Sequence, residues 1–403
     1  MERERSAGVL LHPSCLPSRF GIGDLGPTAA AYVEWLAGAG AGWWQVLPLH
    51  PPGPGNSPYS AISTFAGNEL LVSPDLLVED GILGEAEVAD APDFPRAWVE
   101  FDEVVPYKLG LLRRAFDRFR ERQPAGLVQQ LAGFRRRHQG WLADYALFRA
   151  LRDSRGRQAW YEWPPELAAR RPEALEAWRE AHRDEVAFVE FCQFLFFRQW
   201  GALRDWAREL GVRIFGDVPI FVSRDSAEVW AGPDLFLLDA EGRPTVVAGV
   251  PPDYFSATGQ LWGNPLYDWE ALARTGYAWW IRRVRAAFEL FDLVRLDHFR
   301  GFEAFWEVPG DAATAVDGRG VKGPGAPFFE ALRRALGDLP IVAEDLGVIT
   351  PEVEALRDGF SFPGMAILQF AFGSDAHAND FLPHNYERNK VVYTGTHDND
   401  TVV

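Results

Sequence analysis

The 403-residue sequence predicts an α/β fold with parallel strands, built either as one barrel with insertions or as two ordinary domains. The first observation is a strand-like run at residues 9–11, a helical run at 28–36 and a second strand-like run at 43–48. This β-α-β order implies parallel pairing. The second observation is that strand–helix alternation resumes after Gly211, beyond a long helical stretch.

The helical stretch runs from about residue 104 to residue 210. It is amphipathic, rich in Arg, Glu and Trp, and is interrupted by prolines such as Pro124 and Pro172. We interpret residues of about 75–200 as a mainly helical insertion that carries outer helices back to the sheet. No internal repeat and no low-complexity linker divides the chain.

Four apolar runs in the later part of the chain end in or near carboxylates, which are Asp217, Asp297, Glu344 and Asp398. Because the carboxyl ends of parallel strands meet at one mouth, we expect these four side chains to converge. A single acidic strand end is explained by capping of the next helix. Four together raise each other's pKa values and cost stability, which points to a chemical task.

Composition excludes several partners. The net charge is −17 and the basic residues form only short runs, so a nucleic-acid interface is not expected. No stretch approaches the roughly 18 apolar residues that a membrane helix needs. Cys15 and Cys192 are too few for a disulfide framework, so we expect a reducing, cytoplasmic location. Aromatic residues make up 14% of the chain; most should fill the core, and a minority at a cleft would stack on sugar rings.

Two kinds of chemistry suit the acidic cluster. Paired carboxylates perform glycosyl transfer, one as nucleophile and one as proton donor. Alternatively, the run 397–400 (His-Asp-Asn-Asp) suggests a metal site, although no two His residues have helical ligand spacing. The segment 21–26 matches the letters GxGxxG, but it follows no convincing strand and no acidic residue ends the next one, so we expect no nucleotide site.

The neighbours of the carboxylates favour sugar chemistry. Arg295 precedes Asp297 by two residues, so strand alternation places both on one face, where the guanidinium would keep the nucleophile ionised. Glu344 follows an apolar run, and burial would raise its pKa toward that of an acid catalyst. His397 and Asp398 could hold ring hydroxyls. Each feature has a structural alternative. Arg295 and Asp297 could be a buried pair that steadies the fold, Glu344 could form a structural pair with an arginine, and His397 and Asp398 could cap a loop.

Several blocks of this sequence resemble the signatures of the amylomaltases, which are 4-α-glucanotransferases of the α-amylase clan. The resemblance runs in order from about residue 8 to residue 401. Its longest blocks are 295–302 (Arg-Leu-Asp-His-Phe-Arg-Gly-Phe), 343–347 (Ala-Glu-Asp-Leu-Gly) and 393–401 (Tyr-Thr-Gly-Thr-His-Asp-Asn-Asp-Thr). Shorter blocks that agree are 10–13, 20–26, 57–60, 216–220 and 262–265.

The resemblance implies roles for single residues. Asp297 would be the nucleophile, Glu344 the general acid and base, and Asp398 the carboxylate that stabilises the transition state. Residues implied in binding the glucan are Tyr59, Asp217, Tyr254, Phe255, Gln260, Trp262, Asn264, Arg295, His298 and His397, with Tyr254 and Phe255 in a mobile loop at 249–256 that partly covers it. No cofactor or metal is implied, and the expected partners are α-1,4-glucans and malto-oligosaccharides.

The resemblance also implies a (β/α)8 TIM barrel with helical insertions. We expect residues 1–403 to form a single catalytic domain, with a loop subdomain at about 225–290 over the cleft. The family pattern continues with an eighth strand and closing helices, so we expect the barrel to lack these in this chain. A glucan hydrolase of the same clan, an inactive glucan-binding module and a metal-dependent enzyme remain as alternatives.

Overall fold

A computed structural model of the chain describes residues 5–252, 256–372 and 378–400. The chain groups into two compact units. The first unit comprises the chain up to residue 214 together with residues 222–233, and the second comprises residues 215–221 and the chain from residue 234 onward. Among the described helices, none combines the length and the apolar character needed to cross a bilayer.

The first unit contains the β-α-β arrangement that the sequence predicts. Strands β1 (Gly8–Leu10) and β2 (Trp43–Gln45) pair in parallel and are connected through helix α1 (Pro27–Gly38). Pro27 occupies the start of α1, where its missing N–H costs no hydrogen bond. The β-α-β prediction is confirmed.

The chain between β2 and β3 (Arg213–Val218) is mainly helical. Its helices are α2 (Pro74–Glu79), α3 (Glu85–Ala89), α4 (Phe101–Arg122), α5 (Ala125–Arg137), α6 (Leu142–Ser154), α7 (Pro165–Ala168), α8 (Pro172–Ala181) and α9 (Arg183–Glu209), and α10 (Ala227–Ala231) follows β3. Two buried glutamines of α9 fix the loop beside it. Gln193 both accepts from and donates to the backbone of Gly67 at 2.8 Å. Gln199 does the same for Ser73 at 2.7 and 3.2 Å, so this irregular segment keeps its hydrogen bonds when buried.

The second unit contains the remaining strands and helices. They are β4 (Val246–Val250), β5 (Gln260–Pro265), α11 (Trp269–Arg274), α12 (Ala278–Leu290), β6 (Leu293–Leu296), β7 (Ala304–Pro309), β8 (Arg319–Lys322), α13 (Gly325–Leu336), β9 (Ile341–Ala343), α14 (Pro351–Gly359), β10 (Gly364–Ile367) and β11 (Lys390–Tyr393). Strand β6 pairs in parallel with both β3 and β9, and β10 pairs in parallel with β11. The Ala343 amide donates to Pro363 O at 2.8 Å and connects β9 to the start of β10. These strands therefore lie side by side in chain order, with their carboxyl ends at one edge.

A four-stranded antiparallel sheet with the order β5-β4-β7-β8 was not predicted from the sequence. Its strands are short, Gly249 lies inside β4, and β5 leaves Leu261 and Trp262 exposed, so no clear apolar alternation marks them. Val247 of β4 and Val308 of β7 are buried and belong to one hydrophobic cluster. The sheet positions β5, which carries three of the residues assigned to the glucan cleft.

The prediction that most aromatic residues fill the core is confirmed for the second unit. Trp280, Phe302 and Phe328 are fully buried, and the rings of Phe302 and Phe328 stack with their centroids 5.0 Å apart. Trp280 meets both rings edge-on at 5.3–5.5 Å. Such contacts add to the burial of apolar area and stiffen the layer that supports the strand ends.

A matched pair of glycine substitutions tests the packing of β3. A Cβ added to Gly216 would lie 2.1 Å from the buried ring of Phe291, whereas nothing lies within 4 Å of one added to Gly201 in α9. We expect Gly216→Ala to lower the free energy of unfolding by about 1–3 kcal/mol through overpacking. Gly201→Ala should raise it by up to about 1 kcal/mol, because Ala favours a helix. Urea unfolding measures both, and equal effects at the two sites would contradict the packing described for β3.

Candidate active site

Asp297 and Glu344 leave two neighbouring parallel strands at the same edge. Leu296 at the end of β6 is in register with Ala343 at the end of β9, and the two acidic residues follow directly. The Glu344 amide donates to Leu296 O at 3.0 Å. The Asp297 amide donates to Val218 O at 3.0 Å, which ties the same strand end to β3. The parallel register therefore brings these strand ends together, as the sequence predicts.

Arg295 lies between two carboxylates. Its Nη2 atom is 2.7 Å from Asp297 Oδ1 and 3.0 Å from Asp217 Oδ2. The Arg295 side chain is only 7% exposed, so these contacts form in a medium that screens charge poorly. Arg295 and Asp297 are in contact, as strand alternation predicts, although β6 ends one residue before Asp297. The guanidinium fixes the orientation of both acids.

Asp217 lies inside its strand, one residue before the strand ends. Strand β3 continues to Val218, and Asp217 is in register with Arg295. The ladder extends because β6 offers pairing partners up to Leu296. Asp217 is consequently 1% exposed, which is tolerated because Arg295 pairs with it.

Two backbone amides hold the carboxylate of Glu344. The amide of His298 donates to Oε2 at 2.7 Å, and the amide of Leu346 donates to Oε1 at 2.9 Å. His298 has a φ of 50° and a ψ of 49°, in the left-handed region that a residue with a side chain seldom adopts. His298 directly follows Asp297, and its amide contacts Glu344. The left-handed conformation at His298 therefore connects the end of β6 to the end of β9.

The pKa values of Asp297 and Glu344 are both raised. Burial raises the pKa of Asp297 to about 7; Arg295 opposes this effect, while Asp217, Glu344 and Asp398 add to it. Burial likewise raises the pKa of Glu344, against the opposing effects of Arg295 and the two amides. The expected direction for Glu344 is found. Arg295 favours the ionised form of Asp297, as expected, but burial raises the pKa of Asp297 by more than the guanidinium lowers it.

The third acid, Asp398, lies in the loop after β11. Its Oδ2 is 3.2 Å from His397 Nε2, and its side chain is 77% exposed. Burial lowers the pKa of His397, with Asp398 opposing, so the imidazole is neutral at pH 7. Asn399 caps this loop by accepting from the Thr396 amide at 2.8 Å, as the capping interpretation proposed for the neighbouring polar residues.

Aromatic side chains surround His298, the residue that follows Asp297. The indole of Trp262, on β5, meets the imidazole of His298 edge-on with centroids 4.8 Å apart. The Trp262 Nε1–H donates to Gln260 Oε1 at 3.1 Å, and Trp262 is 38% exposed. Burial lowers the pKa of His298 to about 3, so its ring is neutral. Trp262 therefore offers an exposed apolar face close to the acidic cluster.

Phe221 is one of these aromatic side chains, and the sequence analysis did not identify it. Its ring lies 6.3 Å from that of Trp262 and 6.5 Å from that of His298. It follows directly after the block 216–220, and this proximity to an assigned block was the available signal. A buried Phe in an apolar run reads first as core, and this one is 5% exposed.

The structure gives less detail for the remaining assigned residues. Asn264 lies on β5, and Tyr59 belongs to the first unit, where its amide donates to Ser57 Oγ at 3.3 Å. Tyr254 and Phe255 lie outside the described residues. Within the described part of the chain, no three His, Cys, Asp or Glu side chains are grouped so as to hold a metal ion.

Known proteins with similar sequences and structures agree on one family. The family model Glyco_hydro_77, described as 4-alpha-glucanotransferase, matches residues 11–403. The 4-alpha-glucanotransferase of Synechocystis is 53% identical over 99% of this chain and 80% of its own length. That of Thermus thermophilus is 53% identical over 100% of this chain and 80% of its own length.

A solved structure supports the same assignment. The amylomaltase from Streptococcus agalactiae in complex with acarbose superposes with a TM-score of 0.95 at 38% sequence identity, covering 98% of this chain and 80% of that one. Sequence, family model and structure agree along nearly the whole chain. The chain therefore belongs to the 4-α-glucanotransferase family.

Proposed function

We propose that this 4-α-glucanotransferase works by retaining double displacement, with Asp297 as nucleophile and Glu344 as general acid and base. The observation that carries the proposal is the position of the two carboxylates at the ends of neighbouring parallel strands, with Arg295 fixing Asp297. Retention requires two carboxyl groups about 5–5.5 Å apart. Side chains that leave adjacent strands at one edge suit that separation.

In the first step, Asp297 attacks the anomeric carbon of an α-1,4-glucan. Glu344 gives its proton to the glycosidic oxygen, and the reducing-end part of the chain leaves as an alcohol. In the second step, Glu344 takes the proton of an acceptor 4-hydroxyl, whose oxygen displaces Asp297. The sugar has then been inverted twice, and the new bond has the original configuration.

The raised pKa values bear on which of the two acids carries a proton in this reaction. Burial raises the pKa values of Asp297 and Glu344, which favours the protonated form of each acid relative to an exposed carboxyl group. Catalysis needs a proton on Glu344. Direct contact with Arg295 favours the ionised form of Asp297, and this favours the required arrangement. The two amides that hold Glu344 then stabilise the carboxylate left after proton transfer.

Further roles stay proposals. Asp398 would stabilise the positive charge that develops on the sugar, while His397 and Asp217 would hold its hydroxyls. Trp262, flanked by Gln260 and Asn264, would present its exposed face to a glucose ring, with His298 behind it. Residues assigned to this cleft from the resemblance alone are Tyr59, Tyr254 and Phe255. An aromatic cover over the intermediate would keep water out and favour transfer over hydrolysis.

We also propose that the chain forms a single catalytic domain on a (β/α)8 framework, with the helical insertion at about 75–200 and a loop subdomain at about 225–290. The parallel strands of the second unit, which lie side by side in chain order, support the framework. The helices between β2 and β3 support the insertion. Cys15 and Cys192 are free thiols, which fits a cytoplasmic location.

Products from maltotriose test the transfer. We expect glucose together with maltopentaose and longer chains, because a second glucan displaces Asp297 more often than water does. Asp297→Ala should lower this rate by roughly 10⁴-fold or more, since the covalent route is lost. Chromatography of the products measures both. Glucose and maltose without longer chains would indicate hydrolysis, and an unchanged Asp297→Ala rate would refute the nucleophile.

Trapping tests the covalent intermediate directly. Glu344→Gln cannot deprotonate an acceptor, so with maltosyl α-fluoride, a donor that needs no acid, the glycosyl adduct should accumulate. Mass spectrometry of peptic peptides should find it on the peptide that contains Asp297, and Asp297→Ala with the same donor serves as the blank. An adduct on another residue would reassign the nucleophile.

The raised pKa of Asp297 predicts a pH-dependent stability. Between pH 4 and pH 7 the folded state binds the proton of Asp297 more tightly than the unfolded state, so this residue lowers stability as the pH rises to about 7. Asp297→Asn should therefore be more stable than the parent above pH 7, by about 1 kcal/mol or more, and the gain should vanish near pH 4.

Thermal unfolding between pH 4 and pH 8 measures this gain. Asp311→Asn, which removes an exposed carboxylate of the same unit, is the control and should show no comparable change with pH. A gain for Asp297→Asn that is the same at every pH would indicate packing rather than protonation as its cause.

A further inference from the structure

Asp345, which directly follows Glu344, is a buried acid that the reaction does not use. Its Oδ2 accepts from Arg357 Nη1 at 2.5 Å, and its Oδ1 accepts from the Met365 amide at 2.6 Å. Arg357 lies in the last turn of α14, and Met365 lies in β10. Both charged partners are at most 9% exposed. Asp345 is therefore fixed to a helix and to a strand at once.

The backbone around Asp345 is held from the opposite side. Glu344 is bonded to the β6 side of the sheet through its amide, and its carbonyl accepts from the Phe299 amide at 3.1 Å. Toward β10, the Ala343 amide donates to Pro363 O. The contacts of the Asp345 side chain and those of the Glu344 backbone restrain two adjacent residues, so fixing Asp345 limits the directions that Glu344 can adopt.

Gly364 makes room for this attachment. A Cβ at this position would lie 2.3 Å from Asp345 Oδ2, a separation that real side chains do not adopt. The backbone of β10 can therefore approach the carboxylate only because residue 364 is a glycine. Arg357 has a second partner, the exposed Asp358, whose Oδ1 is 2.8 Å from Nε. Arg357 thus donates hydrogen bonds to the buried Asp345 and to the exposed Asp358.

We infer that Asp345 is a positioning residue for the reaction: its attachment to Arg357 and β10 holds the carboxylate of Glu344 on the amides of His298 and Leu346. This inference rests on the proposed role of Glu344 as the general acid. Misplacement of a catalytic group by about 1 Å is enough to slow a reaction greatly. Asp345 itself does not touch the reacting atoms.

The charge of Asp345 gives the inference a second measurable consequence, in the pH dependence of the rate. Its negative charge raises the pKa of Glu344, while Arg295 lowers it. Asp297 is the further acid coupled to Glu344, and Arg357 and Lys390 are the cations that face Asp345. Asp345→Asn should therefore lower the pKa of Glu344 and move the alkaline limb of the pH–rate profile to lower pH.

Two donors separate positioning of the acid from a general loss of structure. Departure of a sugar from maltotriose needs a proton, whereas departure of fluoride from maltosyl α-fluoride does not. We expect Asp345→Asn to lower kcat with maltotriose by about 10-fold or more, with KM nearly unchanged, a part of the 10²–10⁴-fold typical of acid catalysis. The single-turnover release of fluoride should stay within about threefold of the parent.

The matched control is Asp358→Asn, which removes the other partner of Arg357 and should leave both donors within about twofold. Gly364→Ala is the second variant, because it displaces Asp345 but keeps every charge. It should show the same donor dependence without the shift of the alkaline limb. Circular dichroism and thermal unfolding identify which variants are folded. The rates with the two donors are compared for the folded variants.

The outcomes are distinct. Equal losses with both donors in a folded Asp345→Asn or Gly364→Ala variant would overturn the inference, as would an alkaline limb that stays in place in Asp345→Asn. Glu344→Gln reports on the proposed function itself. If it loses fluoride release as severely as maltotriose transfer, Glu344 is not the acid, and the proposed function fails whatever Asp345 shows.

Discussion

The single guanidinium of Arg295 is the interaction on which the acidic cluster depends. Two carboxylates contact its Nη2 atom, and one of them, Asp217, is almost entirely buried. A buried charge without a partner costs several kcal/mol. The register of β3 with β6 places Arg295 opposite Asp217 and two residues before Asp297. A shift of one residue between these strands would turn Asp217 and Arg295 to opposite faces of the sheet and separate them.

Arg295 does not neutralise the cluster completely. Burial raises the pKa of Asp297 to about 7; Arg295 opposes this effect, and the charges of Asp217, Glu344 and Asp398 add to it. Burial raises the pKa of Glu344 as well. The proposed mechanism requires one ionised acid and one protonated acid. Burial favours the protonated form, and Arg295 favours the ionised form of the acid that it contacts.

The sequence predicts the parts of this site that depend on local pattern. Strand alternation places Arg295 beside Asp297, and the apolar runs before Asp297 and Glu344 place both at strand ends. It does not predict the inclusion of Asp217 in β3, because strand length there depends on the partner strand. Nor does it predict the left-handed backbone of His298, since no glycine marks it. Those features arise from long-range pairing.

For the same reason, the pKa of Asp297 cannot be predicted from the local sequence. An arginine two residues from an aspartate indicates contact, but the pKa that results depends on burial and on acids more than 40 residues away. Asp297 follows β6, and β6 lies between β3 and β9. The antiparallel sheet that carries Trp262 has no clear pattern in the sequence.

The segment after β9 is restrained on both sides of Glu344. Strand β9 has only three residues and ends before Glu344. Hydrogen bonds on the β6 side fix the backbone of Glu344, and the buried carboxylate of Asp345 fixes the next residue to α14 and β10. Two backbone amides bind the carboxylate of Glu344 itself. If Asp345 positions Glu344 as inferred, these restraints act together, because the amides can hold the carboxylate only while the backbone of the segment stays in place.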